Sequence, residues 1–255
     1  MTLKELDSYF NSFLNKEDFD SDVSLNGIQV SNSDPDSKII KKVAFAVDAC
    51  EQTICECIKA GAQMLFVHHG IFWGYCETIT GAHYKRIANL IKNDIALYAS
   101  HIPLDANHIV GNNYGLAERL NLKNKVPAGV WHGMTFGVMG TLPRPQLLEE
   151  LVPQLFPDGE KPLHILPFGK EKIESVMILS GGTGDDINQA VAAGVDLFIC
   201  GELGHEQYHY AKEHSINVLA GGHYNTETVG VRLVAQKLAA EKGIESVFID
   251  VPTGL

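Results

Sequence analysis

Apolar residues recur at Leu3, Leu6, Phe10, Phe13 and Leu14, the spacing of a helix with one buried face. Further along the chain the period changes. Asn26–Val30 reads as a turn leading into a short strand, and Val43–Val47, Met64–Val67 and Ile95–Ala99 are unbroken apolar runs. Runs of that length suit strands covered on both faces. Helical patterns fall between and after them, at about Glu51–Lys59 (closed by Gly61), His83–Lys92 and Asn113–Leu120. Strand and helix alternate, which predicts an α/β fold with a parallel or mixed sheet flanked by helices.

The stretch from Val126 to Lys172 is richer in proline and breaks this rhythm. It predicts a strand at Thr135–Met139, a helix at Pro145–Leu155 and a strand near Leu163–Leu166. The alternation then returns, with strands at Val176–Ser180, Val195–Cys200 and Ile216–Ala220 and helices at Asp186–Ala193 and Gln207–Glu213. A helix from about Glu227 to Glu241 and a strand at Val247–Val251 close the chain. Val43 set against Val176, an offset of 133, needs no gap for some twenty-five residues. Gly61 then falls on Gly194, and His68 and His69 fall on Gly201 and Glu202. Two similar α/β halves are expected, residues 1–125 and 126–255.

That repeat gives weight to what stands at the strand ends. His101 and Asp105 follow one apolar run, and His223 and Glu227, also four residues apart, follow another. His68 and His69 end a third, with Gly70 expected to relax the backbone so that both rings reach one region. Open α/β sheets place ligands at such ends, and imidazole with carboxylate suits divalent transition metals. His205-Glu206-Gln207-Tyr208-His209 matches the His-Glu-x-x-His pattern of zinc peptidases, although its helix is short and polar. Gly181-Gly182-Thr183-Gly184 stands where a phosphate loop would, but the following Asp185 and Asp186 repel phosphate, so a turn with an aspartate cap is expected. Phe72, Trp73 and Tyr75 suit a pocket wall, core packing or a subunit contact.

Composition removes several classes. A net charge of −11 over 255 residues argues against a nucleic-acid surface. No stretch reaches membrane-spanning length and Met1–Phe10 lacks a signal pattern, so a soluble cytoplasmic protein is expected. Five cysteines without paired Cys-x-x-Cys spacing suit reduced thiols rather than disulfides or a zinc site.

Several stretches together resemble one known family. They are Val67-His68-His69-Gly70-Ile71-Phe72-Trp73, His101-Ile102-Pro103-Leu104-Asp105-Ala106, Gly111-Asn112-Asn113 and Gly221-Gly222-His223-Tyr224-Asn225-Thr226-Glu227. The chain resembles the YbgI family, the GTP cyclohydrolase I type 2 homologues or Nif-three-like group, and Asn26–Val30 and Phe248–Pro252 extend the likeness to both ends. The resemblance implies two interlocked α/β halves, a toroidal homohexamer and a dinuclear metal site. It makes His68, His69, Asp105, His223 and Glu227 the ligands of two divalent ions (zinc, manganese, iron or nickel), and His101 and His209 pocket histidines able to move protons. Some relatives carry a Gly-x-Gly-Arg stretch; Phe136–Gly140 here has no arginine. The function implied is metal-dependent hydrolysis of a small anionic, nucleotide-like substrate. The alternatives are a metal carrier or cofactor-assembly protein, a regulatory scaffold, and a zincin-type metallopeptidase.

Overall fold

The computed structural model describes residues 1–255 and divides them into two compact units. The first joins Met1–Leu104 to Gly230–Val251; the second joins Asp105–Val229 to Pro252–Leu255. In chain order the first stretch carries α1 (Leu3–Leu14), β1 (Gly27–Val30), β2 (Lys42–Asp48), α2 (Glu51–Lys59), β3 (Met64–His69), α3 (Gly81–Lys92) and β4 (Ala96–Ala99). A one-turn helix, α4 (Ile102–Asp105), precedes α5 (Asn112–Arg119), β5 (Lys123–Trp131), β6 (Met134–Leu147), α6 (Leu148–Leu155) and β7 (His164–Pro167). Then come β8 (Lys172–Leu179), α7 (Ile187–Ala193), β9 (Leu197–Cys200), α8 (His205–Glu213), β10 (Asn217–Ala220), α9 (His223–Lys242) and β11 (Glu245–Phe248).

Each unit has its own mixed sheet. The first has strand order β1-β4-β3-β2-β11 and the second β5-β6-β8-β9-β10-β7. Three parallel strands lie at the heart of each, β2-β3-β4 and β8-β9-β10, with an antiparallel strand, β1 or β7, beyond the last of them. The sheets differ on the other side, where β11 runs parallel to β2 while β6 runs antiparallel to β8. The apolar runs predicted as strands are buried along their length: Val43–Val47, Met64–Val67, Leu197–Cys200 and Val218–Ala220 are at most 1% exposed. In the first unit Phe10 of α1 packs on Phe66 and Tyr98, with ring centroids 5.0 and 5.1 Å apart, so the helical stripe read from the sequence covers one sheet face.

Several elements differ from the sequence reading: α4 is an added turn of helix, the helix expected from Pro145 starts at Leu148, and the last strand is Glu245–Phe248 rather than Val247–Val251. β5 was not anticipated, and β6 runs fourteen residues, with an irregular register between Thr141 and Gln146 near Pro143 and Pro145. The last helix begins at His223 rather than Glu227, because Gly222, at φ +97°, turns the chain directly from the end of β10 into the helix. His223 and Glu227 therefore stand one turn apart on the same helix face.

Candidate metal centre

In the first unit the C-terminal ends of three parallel strands meet. Asp48 ends β2 opposite His69 of β3, and Ser100 and His101 follow β4. Each histidine is fixed through Nδ1. That of His68 lies 2.9 Å from the Ser100 carbonyl, that of His69 2.8 Å from Asp48 Oδ1, and that of His101 2.9 Å from Asp22 Oδ1. A ring held this way has its tautomer and plane set, leaving Nε2 as the nitrogen that can take an ion. One ligand atom from each of His68, His69 and His101 lies within 4.8 Å of the others. The indole of Trp73 packs against His101 and His69 at 5.2 and 5.9 Å, so of the three aromatics only Trp73 stands beside these rings. Phe72 packs instead on buried His83, and Tyr75 is exposed.

Gly70 also leaves room for a neighbouring side chain. A Cβ there would lie 2.3 Å from Oε1 of Gln29. Gln29 in β1 accepts from the Ile71 amide at 2.7 Å and donates to the Leu25 and Phe72 carbonyls, which staples the loop that follows the histidine pair.

The second unit repeats the arrangement with carboxylates. Ser180 follows β8, Glu202 follows β9, and β10 leads through Gly221 and Gly222 into His223 and Glu227. Asp105 Oδ1 accepts from Asn112 Nδ2 at 2.8 Å and Ser180 Oγ at 3.1 Å. Asp105 and Glu227 are both 3% exposed, and an oxygen of each lies within 4.8 Å of the other. Two unit charges that close repel by about 3–4 kcal/mol even at an effective dielectric constant near 20. His223 offsets part of this, with Nε2 3.2 Å from Glu227 Oε1 and Nδ1 hydrogen-bonded to Glu202. Burial disfavours its imidazolium, but Glu227 and Glu202 outweigh burial and push the ring up to about 9. Paired buried carboxylates beside an oriented imidazole form a donor set that fits a divalent cation. Gly181 makes room for it: its φ is +73°, and a Cβ there would lie 2.2 Å from Glu227 Oε1.

A family model described as Duf34/NIF3 (NGG1p interacting factor 3) matches residues 1–254. The chain belongs to the Duf34/NIF3 family. Among its relatives is a "GTP cyclohydrolase 1 type 2 homolog" of Treponema pallidum (strain Nichols), 48% identical, with all of both chains covered. Two solved structures match with a TM-score of 0.90 and full coverage of both chains: TTHA1606 of Thermus thermophilus, 37% identical, and protein ybgI, of unknown function, 32% identical.

Within this Duf34/NIF3 chain, His205 and His209 are exposed on α8 with rings 6.4 Å apart. The ring neighbours of His209 are Tyr208 and His205. In the Gly181–Gly184 loop the Gly181 carbonyl accepts the amides of Thr183, Gly201 and Glu202, and the Gly181 amide donates to Thr226 Oγ1. Asp186 stands at the helix start without capping it and instead accepts from Gln189. The residues missed from sequence are the orienting groups Asp22, Asp48 and Glu202. For Glu202 a signal existed, because the internal repeat sets it on His69 at the end of the matching strand. Asp22 lies 79 positions from its histidine, and no local spacing connects them.

Proposed function

We propose that this Duf34/NIF3 protein holds two divalent metal ions and uses them to hydrolyse a small anionic, nucleotide-like substrate. The observation that carries the reading is the buried Asp105–Glu227 pair beside oriented His223. The residues proposed to hold the ions are His68, His69, Asp105, His223 and Glu227. Two divalent ions supply Lewis acidity and lower the pKa of water to near neutrality. Four positive charges against two carboxylates favour an anionic substrate despite the acidic chain. Asp48 and Glu202 hold the His69 and His223 rings in place, and Asp22 aims His101, which is proposed to move protons together with His209. The nucleotide class follows from the relatives named GTP cyclohydrolase 1 type 2 homolog.

Glu227→Ala tests the core of this reading. Elemental analysis should fall from two ions per chain to one or none, and two surviving ions would remove Glu227 from the ligand set. Protein loaded in turn with zinc, manganese, iron or nickel should then open or hydrolyse at least one member of a nucleotide panel. A metal-carrier reading competes because His69 and His223 keep 16% and 30% of their side chains exposed, within reach of an acceptor. Rapid transfer to an apo-acceptor, without turnover under any metal, would favour it. For the assembly we propose a toroidal homohexamer, on the family resemblance and on Tyr75, Ile79 and Tyr84, which expose 65%, 54% and 52% of their surface. Native mass spectrometry giving a monomer or dimer would reject it.

A further inference from the structure

We propose that Trp73 is a stacking platform for a planar aromatic heterocycle, the uncharged end of a small molecule whose anionic end meets the metal centre. It rests on the two-ion reading above only for the ions that hold the anionic end; the ring contact belongs to Trp73. The indole stands at the edge of the histidine cluster, its centroid 5.2 Å from that of His101 and 5.9 Å from that of His69. One small molecule can therefore touch both the indole and the centre. The neighbours of Trp73 in sequence are used by the fold: Ile71 is 2% exposed in the core, and Phe72 packs against that core and on buried His83. Trp73 is left half-buried, and residues 74–80 after it are exposed throughout.

The indole is not needed to aim the rings it touches. His69 and His101 are held through Nδ1 by Asp48 at 2.8 Å and Asp22 at 2.9 Å, which already sets their planes and tautomers. The fold instead fixes the segment that presents the indole. The Phe72 carbonyl accepts from the Leu25 amide at 3.1 Å and from Gln29 Nε2 at 3.3 Å, and the Ile71 amide donates to Gln29 Oε1 at 2.7 Å. Apolar surface continues beside it: Val23, whose carbonyl faces Gly74, is 44% exposed, and Leu25 is 53% exposed. A fixed, half-open indole on an apolar rim, next to a centre that attracts anions, suits a ligand with a flat ring at one end and negative charge at the other. Stacking on an aromatic side chain is a contact that every base can make, and a platform held in place beforehand loses little freedom on binding.

The test uses full-length protein reconstituted with zinc. Its probes are guanosine 5′-monophosphate and ribose 5-phosphate, which share the anionic end and differ by the base. Loss of one stacked base weakens binding by about 5- to 150-fold. In equilibrium dialysis Trp73→Ala should therefore weaken the nucleotide at least about fivefold, and ribose 5-phosphate less than about twofold. Trp73→Phe, which keeps an aromatic face, should recover most of the loss, and Trp73→Leu, which keeps bulk without one, should not. The chain has one other tryptophan, Trp131, so in Trp131→Phe protein the emission reports Trp73 alone. The nucleotide should quench that emission and ribose 5-phosphate should not. The proposal is overturned if Trp73→Ala costs the nucleotide less than about fivefold, if both probes weaken alike, or if Leu serves as well as Phe. Should Trp73→Ala fail to fold, as read by circular dichroism, the Leu and Phe variants carry the comparison. Nucleotide binding that depends on Trp73, without turnover under any metal, keeps the platform and rejects the hydrolase. Nucleotide turnover and binding that both survive Trp73→Ala unchanged do the reverse.

Discussion

Asp196 is 7% exposed and stands where the helix α7 returns to the sheet. Its Oδ2 accepts from the amides of Glu174 and Ser175 at 3.0 and 3.1 Å, and Lys170 lies 2.7 Å from Oδ1. Its backbone carbonyl accepts from Asn217, so one residue ties the starts of β8, β9 and β10. Burial works against the charged form, but Lys170 and these amides outweigh it and hold the carboxyl below its usual range. The Lys170 side chain is 72% exposed, so water screens the ion pair and the amide bonds carry most of the effect. Gln63, at the matching position of the repeat, does the same work with a neutral amide: its Oε1 accepts from Lys41 and Lys42 at 2.8 and 3.1 Å. Asp196→Asn should cost about 1–3 kcal/mol at neutral pH. A carboxyl with a depressed folded pKa stabilises fully above its unfolded pKa, near 3.9, and the contribution fades as pH falls through the folded value. Urea melts of wild type and variant should therefore converge in acid. Gln63→Ala has no such titration, and its deficit should persist at every pH.

At the scale of elements, the edge strand β5 shows what sequence pattern conveys and what it misses. The central strands were legible because both their faces are covered, which leaves unbroken apolar runs. β5 begins Lys123-Asn124-Lys125 and contains Pro127, a composition that fits only an edge, where one side of the backbone needs no ladder partner. Its outer side is partly closed by a side chain. Gln189 of α7 accepts from the Val130 amide at 2.8 Å and donates to the Val130 carbonyl at 3.0 Å, as a neighbouring strand would. Gln189→Ala should remove about 1 kcal/mol locally and speed exchange of the Val130 amide roughly fivefold, with central-strand amides unchanged in hydrogen-exchange measurements. The candidate site divides in the same way. His68, His69, His101, Asp105, His223 and Glu227 stood out because each follows an apolar run. Asp48 and Glu202 also follow apolar runs, and the repeat sets Glu202 on His69, whereas Asp22 acts through a tertiary hydrogen bond that no local pattern announces.

For the whole molecule, ions that bind only the folded chain add to its stability. At a free concentration one hundred times the dissociation constant, one site contributes about 2.7 kcal/mol. For domains of this size that corresponds to a rise of about 5–10 °C in Tm. Zinc added to chelator-treated protein should produce such a rise in calorimetry, and a Tm indifferent to zinc would mean that no site of useful affinity exists. No helix is long and apolar enough to cross a membrane.

The placement of β11 has a consequence for synthesis. Residues 1–104 leave the ribosome first, yet their sheet lacks its outer strand until Glu245–Phe248 emerges and pairs with β2. Nearly all of the second unit, Asp105–Val229, is translated within that interval. The part made first is thus completed only after nearly all of the second, and the nascent chain carries the bare edge of β2 through most of its elongation. A premature stop after Lys242 would release a chain with its second unit almost whole and its first sheet unfinished, a ready substrate for chaperones and proteases.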